Sequence, residues 1–555
     1  MSETDEAFAS SPLSLSPAAR SVWAKSWPQH AASIESWAPL WRHLLDSAAC
    51  AGRLWDTWLP EAVRSRLASF AGGEASARAL CVFAAGVHDI GKATPAFAVQ
   101  VGALRDEMVD HGLEMPVEIP GIERRRAPHN LAGQVLLGDW LQRRFGWTRR
   151  ETGGLASVVG AHHGVPPAAE EIVPFLARGG GGLPAASLAL LGSQRWQEVQ
   201  DEILDELVVY LGVGNLLDGK AWTRLPTLAW SLVLSLVVVA DWLASNDELF
   251  PLTPVGGDRP LPQPDGDETS RIDAAFARLA FPRPWQPRPV DLDVGVLLAE
   301  RFALPADTAA RPVQSAALRA ARDLATPGLL IIEAPMGEGK TEAALLAAET
   351  FAARVGSGGV FVALPTQATA DAMFSRLMAW VSGLPATGAG VGLVPDGSAT
   401  ADPRSVYLAH GKTWLNPDLG SVPPGPSPTR DLGRDVPAAG GPYLDAWMRG
   451  PRRGVLADFV VGTIDQVLVA GLQTRHVALR HLSLARKVVV LDEVHSFDAY
   501  MGVYLERVLE WLAAFGVPVV ALSATLPPTL RQSLVAAYQR GAAGRRPLPA
   551  APGAR

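Results

Sequence analysis

Over roughly the first 250 residues, apolar positions recur at three- and four-residue spacing, as in PLWRHLLDSAACAGRLW, ARALCVFAAGVHDIG and the run at 225–244. β-branched alternation is sparse, so the spacing predicts amphipathic helices and an all-α unit over 1–250. From about residue 290 the pattern changes to short apolar runs, each followed by a helical stretch: GLLIIEAP, GVFVALP, ADFVVGT, RKVVVLDE and VPVVALSAT. Strands apolar on both faces and separated by helices make a covered parallel sheet, so an α/β lobe is expected over 291–540. Between the two, PLTPVGGDRPLPQPDGDE and FPRPWQPRP are too dense in Pro, Gly and Asp for regular structure, which predicts a linker over 251–290. Gly- and Pro-rich sequence at about 383–450 reads as a surface insertion, and 541–555 as a disordered or aberrant tail.

One run, Leu225 to Ala240, carries no charge, but it ends at Asp241 and falls short of the ~20 residues a membrane span needs. A buried core helix and no membrane association are expected. The composition of the 555 residues, 48% hydrophobic and 19% charged, is that of a folded multidomain chain. A net charge of −7 excludes a basic nucleic-acid coat, so any such contact must come from a local patch. The best candidate is 451–487, where Arg452, Arg453, Arg475, Arg480, Arg486 and Lys487 face only Asp458 and Asp465; a solvated charged face is the alternative. Cys50 and Cys81 allow neither a disulfide framework nor a four-thiolate zinc site, and fit a reducing cytosol. The acidic, polar start MSETDEAFASS is no signal peptide.

The strand GLLIIEAP leads into Ala334-Pro-Met-Gly337-Glu-Gly339-Lys340-Thr341 and then a helix. In such a loop glycines let backbone N–H groups approach phosphates, Lys340 neutralises the β/γ-phosphates and the Thr341 hydroxyl ligates Mg²⁺. The strand KVVVLDE delivers Asp492 to hold the Mg²⁺ through water and Glu493 to activate the attacking water. With Leu364-Pro-Thr366-Gln367 and Ser523-Ala524-Thr525 after two further strands, these segments resemble motifs I, Ia, II and III of superfamily 2 helicases, with DEVH as the DExH box. The resemblance implies that Gln314 reads the adenine of ATP, a helix-start glutamine being the alternative. It also implies that Thr366 and Thr463, in VGTIDQ, hold the phosphates of a single strand.

In the helical half, His88-Asp89 closes an apolar helix and is followed by Lys92, while His43, His129, His162, His163 and Asp241 fall on predicted helices or their ends. Imidazoles and carboxylates on converging helices suit first-row divalent metals, and a carboxylate can bridge two of them. Asp247 competes with Asp241 for its place. His30, His111, His410, His476 and His481 belong to no such pattern and are expected in surface or packing roles. The order of the former set is similar to that of the HD phosphohydrolase superfamily, in its dinuclear branch. That resemblance implies one metal on His43, His88, Asp89 and Asp241, a second on Asp89, His129, His162 and His163, and Lys92 offsetting charge on the reacting phosphate.

HDIGK, AHHG, ADWLAS, APMGEGKTEA, LPTQATADAMF, VGTIDQ, LDEVHSFD and LSATLP together resemble the CRISPR-associated helicase-nucleases of type I systems. The resemblance implies an all-α HD domain followed by an α/β RecA-like helicase lobe, with Asp89, Lys92 and Glu493 catalytic. It further implies two transition-metal ions (Fe, Mn, Co or Ni), ATP with Mg²⁺, and a single strand of DNA that is nicked and then pulled 3′ to 5′. The implied partner is Cascade with its guide RNA, in the subtype with a five-protein Cascade. These helicases use a second RecA-like lobe, whereas thirty residues follow Thr525. The expectation is a fragment, a frameshifted reading or a split gene, binding ATP weakly and not unwinding DNA. Two other functions fit the motifs: an HD nucleotide phosphohydrolase with a regulatory ATP-binding lobe, and a non-catalytic Cascade-docking module.

Overall fold

The computed structural model describes residues 12–544 apart from 29–32, 117–118, 120, 177–188, 256–260, some single positions, and most of 386–441. His30, residues 545–555 of the expected tail and most of the expected insertion therefore lie outside the described residues. The chain forms two compact units, one of residues 1–56 and 67–278, the other of 57–66 and 279–555.

The first unit is helical, with one small addition. Strands β1 (Trp23–Trp27), β2 (Ser36–Pro39) and β3 (Thr253–Pro254) form an antiparallel sheet that the helical periodicity did not signal. The helices that matter for chemistry are α1 (Leu40–Thr57), α2 (Glu74–Val87), α3 (His129–Phe145), α4 (Arg149–Ala161) and α5 (Gln194–Leu211), with α6 (Thr227–Ala244). The apolar run at 225–240 belongs to α6, which packs on α2 and α4 with Leu232, Val233, Leu236 and Val239 buried, as expected of a core helix. Within the stretch read as linker, ETSRIDAAFARL forms α7 (Glu268–Leu279). Ile272 and Ala275 supply its buried stripe, and Arg271 clasps Asp46 of α1 with two hydrogen bonds of 2.9 and 3.2 Å.

The second unit is built on a seven-stranded parallel sheet. In chain order its strands are β4 (Leu329–Glu333), β5 (Val360–Leu364), β6 (Arg404–Ala409), β7 (Pro442–Tyr443), β8 (Phe459–Thr463), β9 (Val488–Leu491) and β10 (Val519–Ser523). In space they run β4-β10-β9-β5-β8-β6-β7, in register through pairs such as Leu329↔Val519, Val489↔Val519, Val360↔Val488 and Phe459↔Val406. Helices α8 (Pro312–Asp323), α9 (Lys340–Val355) and α10 (Gln367–Gly383) cover it, together with α11 (Val477–Ala485), α12 (Ala499–Phe515) and α13 (Pro528–Ala542). Two sequence expectations change here. RSVYLA at 404–409, read as insertion, is a full strand of the sheet, because five of its six residues are buried against β8. The basic stretch 451–487 is not a single surface patch. Arg486 and Lys487 are 1% and 0% exposed, held by Asp458, by the Trp58 ring and by backbone carbonyls of Val455, Leu456 and Ser483. Charges so deeply buried offer nothing to an outside strand, so the patch loses these two cations.

Candidate metal centre and nucleotide cleft

In the first unit, two apolar helices end on histidines. His88 closes α2 and His162 closes α4, and each donates its Nδ1–H to the carbonyl three residues back, Ala85 at 2.7 Å and Val159 at 2.6 Å. Those bonds set the tautomer that turns Nε2, with its lone pair, inward. Helix C-termini also carry partial negative charge, a favourable place for a cation. Asp89 follows directly and enters the turn Ile90–Lys92. Gly91 lets that turn press on the start of α3, since a Cβ there would meet the His129 carbonyl oxygen at 1.9 Å.

The result places Asp89 between two groups. Its Oδ2 lies 3.0 Å from His43 Nε2 and 3.4 Å from His88 Nε2, and both imidazoles also approach Asp241 Oδ1, at 3.5 and 3.4 Å. Its Oδ1 lies 3.4 Å from His162 Nε2 and 3.5 Å from His129 Nε2, with His163 Nε2 a further 2.7 Å from His129 Nε2. The ligand atoms of His43, His88, Asp89 and Asp241 thus cluster, and so do those of His129, His162 and His163. Asp241, held by the Ser245 hydroxyl at 2.8 Å, takes the place for which Asp247 competed; Asp247 is exposed beyond the end of α6. His111 and His410 pair with nearby carboxylates, and His481 stacks on Trp511.

Whether divalent ions fit can be read from hydrogen bonding. The Nε2 atoms of His43, His88 and His162 and the Oδ1 of Asp89 are fully buried yet have no hydrogen-bond partner, their close approaches lacking hydrogen-bond angles. Buried polar atoms left so are costly, about 1–3 kcal/mol each. Converging lone pairs that a cation would satisfy account for all four, so the donor set fits two ions. Electrostatics agree at Asp89, His43 and His129 and run the other way at His88. Burial works against the Asp89 anion, but Lys92, 2.6 Å from Oδ2, and His88 hold its carboxyl well below the usual range. Burial lowers His43 and pushes His129 far down, toward the neutral form a ligand needs, whereas at His88 burial is outweighed by Asp89 and Asp241, which raise it to about 10, so an arriving ion would displace its proton. The first cluster is the more buried, with only Asp241 partly exposed; the second opens outward through the exposed His163 and the partly exposed His129.

Sequence reading missed Lys25, on β1. Its ammonium caps α6 at the Ala244 carbonyl, 3.1 Å away, and burial together with Lys92 lowers it to about 8 while Asp241 and Asp89 pull the other way. An isolated lysine between tryptophans carried no signal for this.

In the second unit the motif residues gather at the carboxyl ends of the strands, where ligands bind in parallel sheets. A cleft of about 600 Å³ is lined by Gln314, Gly337, Gly339, Lys340, Thr341, Asp492 and Glu493. Gly339, at φ 75°, sits in the left-handed region that favours glycine, and a Cβ there would also press on the Gln314 amide. Lys340 is folded back on the Ala334 carbonyl at 2.7 Å. Gln314 both caps its helix, accepting from the Arg311 N–H at 2.9 Å, and reaches toward the Gly339 carbonyl at 3.5 Å. Burial and Glu493 raise the Asp492 carboxyl, against the pull of Lys340 and Arg376. His495 bridges the acidic pair to the next motif, 3.2 Å from Glu493 and 3.0 Å from the Ser523 hydroxyl. Thr366 caps α10, and Thr463 is buried at the end of β8. A glycine-bounded loop with an inward lysine after β4 and an acid pair after β9, with β10 between them, fit the phosphates and Mg²⁺ of a nucleotide.

Residues 23–250 match the family model described as Cas3, HD domain. The chain is 32% identical over 537 residues to the CRISPR-associated nuclease/helicase Cas3 of Streptococcus thermophilus, an alignment covering 94% of this chain and 53% of that protein. Among solved structures it resembles T. fusca Cas3 with ATP, with a TM-score of 0.72, 31% identity, and coverage of 98% of this chain and 53% of the other. It also resembles a chain of a CRISPR RNA-guided surveillance complex in a pre-nicking state, with a TM-score of 0.62, 28% identity, and coverage of 98% and 51%. The chain spans about half the length of the curated relatives it matches.

Proposed function

We propose, from the premise that this chain is a Cas3 homologue spanning about half of a full-length Cas3, that its first unit is a metal-dependent nuclease cutting single-stranded DNA. The second unit would bind ATP and Mg²⁺ as half of a 3′-to-5′ translocating motor. The partner would be an RNA-guided surveillance complex of the Cascade type, which displaces the strand to be cut, in the cytoplasm. The observation that carries the nuclease reading is Asp89, one oxygen on each histidine group.

His43, His88, Asp89 and Asp241 would hold one ion, and His129, His162 and His163 with Asp89 the other. Two such ions, iron, manganese, cobalt or nickel in class, would polarise a phosphodiester and supply hydroxide at neutral pH. Asp89 keeps both groups at a fixed separation, and Lys92 balances its charge and offers a cation to the charge that develops on phosphate. His88 and His162 keep their tautomers through their backbone hydrogen bonds. The exposed His163 side is where a strand would enter, since the group around His43 is the more buried of the two. In the second unit Lys340 and the backbone of the loop 334–341 would receive the phosphates, Thr341 and Asp492 the Mg²⁺, and Glu493 would orient water.

The test is cleavage of a labelled single strand under a series of divalent metals. Asp89→Ala, which removes the proposed bridging ligand, should lose more cleavage than the ~10–100-fold typical of an outer-shell partner. Lys340→Ala without ATP should keep it. Hydrolysis of free nucleotides with no strand cutting would point instead to a nucleotide phosphohydrolase.

A further inference from the structure

Helix α10 carries an arginine that the motifs do not account for. Arg376 is half exposed, so core packing does not dictate its place, and its own helix offers no acid at i±3 or i±4, where Ala372, Met373, Ala379 and Trp380 stand. It reaches instead to the phosphate loop: Nη1 donates to Thr341 Oγ1 at 3.2 Å and Nη2 pairs with Glu342 Oε1 at 2.5 Å. It lines the nucleotide cleft together with Thr341, Asp492 and Glu493.

We propose that Arg376 reads the terminal phosphate of a bound nucleoside triphosphate, parked on Thr341 and Glu342 until Mg²⁺ and nucleotide enter. The inference rests on the reading of this cleft as a nucleotide site. Its first step is electrostatic. Thr341 Oγ is the oxygen the loop offers to Mg²⁺, and a guanidinium and a divalent ion cannot share one oxygen at close range without strong repulsion. Entry of Mg²⁺ therefore releases Nη1. The freed fork still hangs over the cleft from the Glu342 side, within reach of the acid pair whose carboxylates frame the terminal phosphate. A terminal phosphate arriving in the cleft is an anion that can take two parallel N–H bonds from the released fork, a geometry that suits arginine and not lysine. A diphosphate leaves that place empty, so Arg376 would separate tri- from diphosphate within this lobe.

The experiment measures binding of Mg·ADP and of a non-hydrolysable Mg·triphosphate analogue to the chain by titration calorimetry. The variants are Arg376→Ala and Arg376→Lys, with melting curves as a check on folding. The expected result is a roughly tenfold or larger loss of triphosphate affinity in Arg376→Ala, the worth of a charge-assisted pair. ADP affinity should stay as in wild type, and Arg376→Lys should recover part of the loss. Equal weakening for both nucleotides would mark Arg376 as a prop for the loop, and equal tightening would mark it as a brake; either overturns the proposal. Wild-type chain that binds neither nucleotide would overturn the reading of the cleft itself, an outcome distinct from wild-type binding with unchanged selectivity in Arg376→Ala.

Discussion

At Gly91 a hydrogen stands where any other residue would drive a carbon into the His129 carbonyl. That contact fixes how far the His88-Asp89 turn sits from α3, and so the 3.5 Å between Asp89 and His129. Gly91→Ala should cost stability at the upper end of the ~1–3 kcal/mol typical of overpacking, because the obstacle is backbone and cannot swing away. Urea unfolding measures it, and a wild-type midpoint would refute the argument. The histidines and acids of the centre were legible in the sequence because metal chemistry needs those residue types, and an HD pair with a doubled His is scarce enough to stand out. Gly91, Lys25 and Arg376 were not. Their partners, His129, Ala244 and Thr341, lie 38, 219 and 35 positions away, and nothing local announces them.

Elements were legible in proportion to how much of their burial is written in consecutive residues. The strands of VFVAL, FVVGT and VVVL are apolar on both faces and declared themselves. Strand β6 did not, since RSVYLA opens on Arg404, a charged residue that is buried with its guanidinium donating to the carbonyls of Val381 and Pro385. The stretch 57–66 is a similar case. It sits in the helical half of the sequence yet belongs to the second unit, where Trp58 is fully buried under the Arg486 guanidinium, 4.0 Å from the ring centre. Trp58→Ala removes a large buried ring and strips a buried cation of its cover, so it should destabilise by about 3–5 kcal/mol. A melting temperature lowered by less than a few degrees would show that the ring is dispensable. A smaller loss in Trp58→Phe would separate the volume of the ring from its face.

Across the whole molecule, the residues gathered at each candidate site come from one unit. The candidate metal ligands run from His43 to Asp241 within the first, and the residues of the candidate nucleotide cleft from Gln314 to Glu493 lie within the second. The net charge of −7 therefore says little about either site, because the chemistry depends on charges held locally, such as Lys92 against Asp89. This separation makes a thermodynamic prediction. An ion that binds only the folded centre stabilises the chain by about 2.7 kcal/mol at a concentration a hundredfold above its dissociation constant, with no contact to the second unit required. Manganese or nickel added to chelator-treated protein should thus raise the melting transition that reports on the first unit. The rise should survive Lys340→Ala unchanged and vanish in Asp89→Ala. His163→Ala removes a ligand from the outer group alone, so it should lower metal stoichiometry from two toward one while part of the thermal shift remains. If Asp89→Ala kept the full shift, the ions would be binding elsewhere, and the orphaned imidazole nitrogens would need a different explanation.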